Sequence, residues 1–82
     1  MLDQETIESE LVNYLENEVG VEQGLERTEA LISAGKLDSF EVVQLIRFLT
    51  EKYTVKVSAF EVNVENFDTV AAISVLVLSR AS

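Results

Sequence analysis

Ile7, Leu11, Leu15 and Val19 recur every fourth residue in the first twenty positions, with Tyr14 beside them. Glu5, Glu8, Glu10, Glu16 and Glu18 fill much of the space between. A spacing of four puts the apolar side chains on one face of an α-helix, so the pattern predicts an amphipathic helix over 3–19. Asp3 stands where a cap is needed, and Gly20 where such a helix would end.

The next stretch loses this periodicity. All three glycines, Gly20, Gly24 and Gly35, fall between residues 20 and 37, which reads as one long connection. Leu25, Ala30, Leu31 and Ile32 make it partly apolar, so it is expected to fold back over the core. Connections of this length inside small domains are uncommon and tend to be functional. A second helix is predicted from Ser39 to Tyr53, with Asp38 as its N-cap and Glu41 completing a capping-box pattern. Phe40, Val42, Val43, Leu45, Ile46, Phe48, Leu49 and Tyr53 cover more than one of its faces, as expected for a central helix.

Tyr53-Thr54-Val55-Lys56-Val57 alternates like a strand but has no partner segment, so it reads as an extended connector. Ser58-Ala59-Phe60-Glu61 repeats the capping-box pattern and is expected to start a short third helix. Asp68 or Thr69 would cap a last helix over 70–80, with Val70, Ile73, Leu76 and Val77 facing inward. There is no internal repeat and no low-complexity segment. The fold class expected is all-α: a four-helix bundle with a long first loop and a short third helix, formed by one domain over residues 1–82.

Composition narrows the chemistry. Among 82 residues there is neither cysteine nor histidine, which rules out disulfides, zinc-thiolate sites and any histidine-dependent triad within the chain. An enzyme made from these residues would have to rely on carboxylates, Lys, Tyr or a Ser–Lys pair. The formal charge of −9 makes nucleic acid an unsuitable partner and basic protein surfaces a suitable one. Residues 1–30 hold nine acids against one base, Arg27, whereas residues 31–82 hold six acids against five bases. The first positions lack a basic region followed by an apolar run, so no signal peptide is expected. The run Val70–Leu78, interrupted by Ser74, is too short to span a bilayer. A cytoplasmic protein without a membrane span is the expectation.

One place could carry chemistry. In Gly35-Lys36-Leu37-Asp38-Ser39-Phe40, Ser39 follows a helix cap directly. The first turn of a helix has backbone N–H groups without internal partners, and the dipole there favours a phosphate. A hydroxyl at that point could be esterified by a phosphate without burying charge, while no base stands ready to make it a nucleophile. Asp-Ser ahead of an apolar helix is also a common capping pair with no function.

The wider pattern resembles the acyl carrier protein family, which includes peptidyl and D-alanyl carriers. The resemblance covers nearly the whole chain. It rests on an acidic first helix and a long loop ending in Gly35 and Leu37-Asp38-Ser39-Phe40. The apolar helix Val43-Gln44-Leu45-Ile46-Arg47-Phe48-Leu49 follows, then Val57, then Asn66-Phe67-Asp68-Thr69-Val70-Ala71-Ala72-Ile73. The resemblance implies an acyl-carrier-like bundle with 4′-phosphopantetheine attached covalently to Ser39, and Asp38 and Phe40 as the motif neighbours. It implies a monomer that is not an enzyme, holding an acyl or aminoacyl group as a thioester between partner enzymes of a biosynthetic pathway. Those partners would be a phosphopantetheinyl transferase, a loading ligase and downstream transferases. Docking would fall on the second helix and adjoining loops, at Phe40, Glu41, Val43, Arg47, Glu51 and Val57. On pattern alone, Val43 and Val57 read as core residues before docking ones, and Glu41 suits a cap alone. Gly-x-Leu-Asp-Ser-Phe, with few acids on the second helix, is more similar to D-alanyl and specialised-pathway carriers than to those of fatty acid synthesis. The alternative is a small acidic helical adaptor with no prosthetic group.

Overall fold

In the computed structural model, residues 3–80 are described, and helices are the regular elements among them. Helix α1 spans Gln4–Tyr14 and runs on into one π-helical turn, Leu15–Val19. Helix α2 spans Ser39–Tyr53, α3 Val64–Phe67 and α4 Val70–Arg80, with a 3₁₀ turn at Ala59–Glu61. The expected helical bundle with a long first loop and a short third helix is present at this level. Its radius of gyration is 11.4 Å, against about 12 Å for a compact chain of this length.

Asp3 caps α1 as predicted, its carboxylate accepting the Thr6 N–H at 2.7 Å. The other end closes differently from a plain α-helix. Gly20 and Val21 both donate their N–H groups to the Leu15 carbonyl, at 2.9 and 2.8 Å. The wider ring needs a left-handed residue to reverse the chain, and Gly20 supplies it at φ +94°. Val21 and Leu15 are both buried beside this turn, so the reversal also delivers the long loop onto the core.

Ile7 and Leu11 of α1 and Leu15 of the π-helical turn meet Leu45 and Leu49 of α2 and Phe67, Val70, Ile73 and Val77 of α3 and α4 in one hydrophobic cluster. Tyr14 stacks on Phe48 with ring centroids 4.1 Å apart, and Glu10 accepts the Tyr53 hydroxyl at 2.6 Å. As α1 advances from 10 to 14, its contacts on α2 retreat from 53 to 48, so the two helices run antiparallel. The buried face of α2 is narrower than expected. Val42, Leu45, Leu49 and Tyr53 are buried, whereas Phe40 and Val43 are exposed. The run Val70–Leu78 folds as part of α4, and its one polar residue, Ser74, is buried with its hydroxyl bonded to the Ala71 carbonyl at 2.7 Å. No buried side-chain nitrogen or oxygen among the described residues lacks a partner.

One cap differs from expectation, and one expected pair resolves to a single residue. Only half of the box at Ser58 forms: the buried Glu61 carboxylate accepts both the Ser58 N–H and its hydroxyl, at 3.1 and 2.7 Å. Because Ser58 donates to Glu61, its oxygen does not cap the Glu61 N–H, which bonds the Ser58 carbonyl and closes a 3₁₀ turn. Glu61 also pairs with Arg80 at the end of α4, which holds the turn down. Helix α3 therefore starts later than expected, with Asn63 as its cap. At α4 the cap is Thr69, whose hydroxyl accepts the Ala72 N–H at 3.0 Å. Asp68 faces the long loop.

Candidate functional site

The local sequence builds the start of α2 tightly. Asp38 is extended (φ −93°, ψ 178°), and its carboxylate accepts the Glu41 N–H at 2.8 Å. Glu41 returns the bond, accepting the Asp38 N–H at 3.0 Å, so the capping box is complete. Ser39 is the first helical residue and is exposed. The N–H groups of the first turn that the box leaves over have no carbonyl behind them. Phe40, next along, is 69% exposed. Among the described residues, no hydrogen bond joins the Ser39 hydroxyl to Asp38 or Lys36. Lys36 instead pairs with Glu29 across the loop.

Beside Ser39 lies an open apolar hollow of about 840 Å³. The loop contributes Ile32 and Leu37 to it, α2 contributes Val42, Val43 and Ile46, and the connector and α3 contribute Val57, Val62, Asn63 and Val64. Leu37 and Val42 are buried on their core sides, while Val43 is 63% and Val64 51% exposed at the rim. Phe60, whose carbonyl accepts from the Asn63 side chain, is 84% exposed. The region around Ser39 thus combines a free hydroxyl, an apolar hollow and several solvent-facing apolar side chains.

The residues expected to dock partners divide into two groups. Val43 and Val57 line the hollow with Asp38 and Ser39, and Phe40 and Glu41 stand at its helix start. Arg47 and Glu51 pair with each other at 3.4 Å and line a separate groove between α1 and α2, with Glu10, Tyr14, Gln44 and Lys52. Val43 is a surface residue, Val57 is half-buried against the core, and Glu41 is engaged in the cap. Sequence patterning overlooked Phe60, Val62 and Val64. They sit in a segment of mixed local signals: Val62 and Val64 line the hollow around the later start of α3, and Phe60 is exposed on the 3₁₀ turn before it.

Part of the chain's acidity holds the long loop. Glu16 accepts the N–H groups of Gly24 and Leu25, at 2.8 and 2.9 Å. Glu8 takes a two-pronged contact from Arg27, both bonds 2.9 Å, and this holds its carboxyl below the usual range. Asp68 accepts from the Ser33 N–H at 2.8 Å and the Ser33 hydroxyl at 2.7 Å, which lowers its carboxyl likewise. On α2, burial and then the neighbouring Glu10 push the Tyr53 hydroxyl upward.

No helix among the described residues is long and apolar enough to cross a membrane, and these residues hold no group of acids that could bind a metal ion. No protein-family model and no curated protein sequence matches the chain.

Proposed function

We propose that the chain is a stand-alone carrier domain, with a 4′-phosphopantetheine arm attached to Ser39 and an acyl or aminoacyl group held on that arm as a thioester. The observation that carries this reading is the placement of Ser39: an exposed hydroxyl on the first residue of a capped helix, at the end of the long loop, beside an apolar hollow. The residues present fit such a group. The unpaired N–H groups of the first turn suit the phosphodiester, and the hollow can shelter an apolar part of the arm or its cargo. When bound, the arm supplies the thiol, and a tether keeps the cargo at high effective concentration for any docked enzyme.

In this reading the chain's own residues present and orient. The Asp38–Glu41 box fixes the angle at which Ser39 leaves the helix, and Phe40, Val43 and Val64 offer apolar contacts around it. Arg47 and Glu51 add a charged pair to the docking face from the other groove of the same helix. Loading and transfer belong to partner enzymes with basic docking faces, and the protein works as a monomer that is not itself an enzyme. A cytoplasmic setting follows from a coenzyme A-derived arm.

The exposed Phe40 and Phe60 also favour a second reading, an adaptor that docks through its apolar surface and never receives an arm. One experiment separates the two. The chain is incubated with coenzyme A, magnesium and a broad-specificity phosphopantetheinyl transferase, beside Ser39→Ala, and intact masses are taken. A gain of one phosphopantetheine in the native chain alone is expected. No gain, with the transferase active on a control carrier, favours the adaptor.

A further inference from the structure

Asp68 stands at the junction of α3 and α4, where a carboxylate is easily assigned to capping. Thr69 already caps α4, and Asp68 directs both carboxylate oxygens elsewhere. Oδ1 accepts the N–H groups of Ser33 at 2.8 Å and Leu31 at 3.2 Å, and Oδ2 accepts the Ser33 hydroxyl at 2.7 Å. The Asp68 carbonyl takes the Leu31 N–H as well, at 2.7 Å. These bonds cross 35 to 37 positions of sequence, from the end of one short helix to the middle of the long loop.

What they fix is a small closed turn. Gly35 donates to the Ile32 carbonyl at 3.0 Å and Lys36 to the Leu31 carbonyl at 2.8 Å, so residues 31–36 form one hydrogen-bonded turn. Ile32 lies between the two residues that Asp68 holds, and Leu37 follows the turn. Ile32 and Leu37 are the loop's wall of the hollow beside Ser39. Hydrogen bonds to a charged acceptor are stronger than neutral ones, so one carboxylate can seat the whole turn.

We infer that Asp68 is a positioning residue for the hollow at Ser39: it seats the 31–36 turn and thereby holds Ile32 and Leu37 in the hollow's wall. Glu16 anchors the other end of the same loop, at Gly24 and Leu25, away from the hollow, and so provides a matched control.

The test is NMR relaxation on the full, unmodified chain, so it stands apart from the carrier proposal. Backbone order parameters are measured at Ser33–Lys36, with methyl order parameters at Ile32 and Leu37. In Asp68→Ala, order at the turn is expected to fall from about 0.85 to below about 0.6. Methyl order at Leu11 and Leu45 should stay unchanged. Asp68→Asn keeps an acceptor for the backbone N–H groups and should restore most of the turn's order, while Glu16→Ala should leave the turn rigid. Ser33→Ala removes only the bond to Oδ2 and should give a smaller fall in the same residues; it serves as the test if Asp68→Ala does not fold. A rigid turn in Asp68→Ala, or equal loosening in Glu16→Ala, overturns the inference, because Asp68 would then add stability without placing the wall.

Discussion

Replacing Asp38 with Ala removes one half of the box that starts α2 and leaves the other half in place. The lost bond is the 2.8 Å contact from the Glu41 N–H. The Asp38 N–H still reaches the Glu41 side chain. Because the site is exposed, water can replace the missing acceptor, which keeps the loss near the ordinary value for a cap, about 1 kcal/mol. Removing a negative charge from the positive end of the helix adds about 0.3–1 kcal/mol. The sum is about 1–2 kcal/mol, and at about 4–8 °C per kcal/mol for a domain this small it should be plain in a melting curve. Asp38→Asn keeps a capping oxygen and should lose only the charge term. Ser39→Ala removes an exposed hydroxyl and should stay within about 0.5 kcal/mol of the native chain. Urea unfolding followed by far-ultraviolet circular dichroism gives all three values, provided the slope is unchanged. The reasoning fails if Asp38→Ala matches the native chain within about 0.3 kcal/mol, the usual scatter of such differences. It also fails if Ser39→Ala is as damaging, since Ser39 would then be part of the structure and not a free group.

Two further outcomes follow from backbone strain and from the carboxylate anchors. Thr54 ends α2 in the left-handed region at φ 57°, where a β-branched residue is strained, so Thr54→Gly should raise stability by up to about 1 kcal/mol; a loss in urea unfolding would contradict this. Glu8 and Asp68 have folded values below the ordinary 4.5 and 3.8, so their contribution is complete above those values and is lost as pH falls through the folded ones. The urea midpoint should therefore hold from neutral pH to about 5 and then decline, less steeply in Asp68→Asn. A decline between pH 7 and 5, or none by about pH 3, would show that these anchors do not carry the acid sensitivity.

The helices were legible because their signals are local. The four-residue spacing of Ile7, Leu11 and Leu15, and the Asp38–Glu41 box, each act within one or two turns, and both elements formed where expected. The loop's anchors act across the fold. Glu16 reaches Leu25 nine positions on, Arg27 reaches Glu8 across 19, and Asp68 reaches Ser33 across 35. No spacing rule connects such pairs, so an acidity that reads as surface charge proves in part to be the loop's fastening. Ser58 shows the opposite error. Its pattern matches a capping box, but Arg80 helps hold Glu61 in a position that draws the serine hydroxyl toward it as a donor. Val43 reads as core and lies on the surface, because periodicity gives a face but not which faces are covered. The short α3 leaves that side of α2 open, and this opening is the hollow.

The central claim is that Ser39 carries the arm, and peptide-level mass spectrometry of the transferase-treated protein tests it most directly. Trypsin releases Leu37–Arg47, in which Ser39 is the sole hydroxyl-bearing residue. The account predicts phosphopantetheine on that peptide and on no other. An unmodified Leu37–Arg47 peptide from treated protein, whether the group has gone to another serine or nowhere, would contradict it.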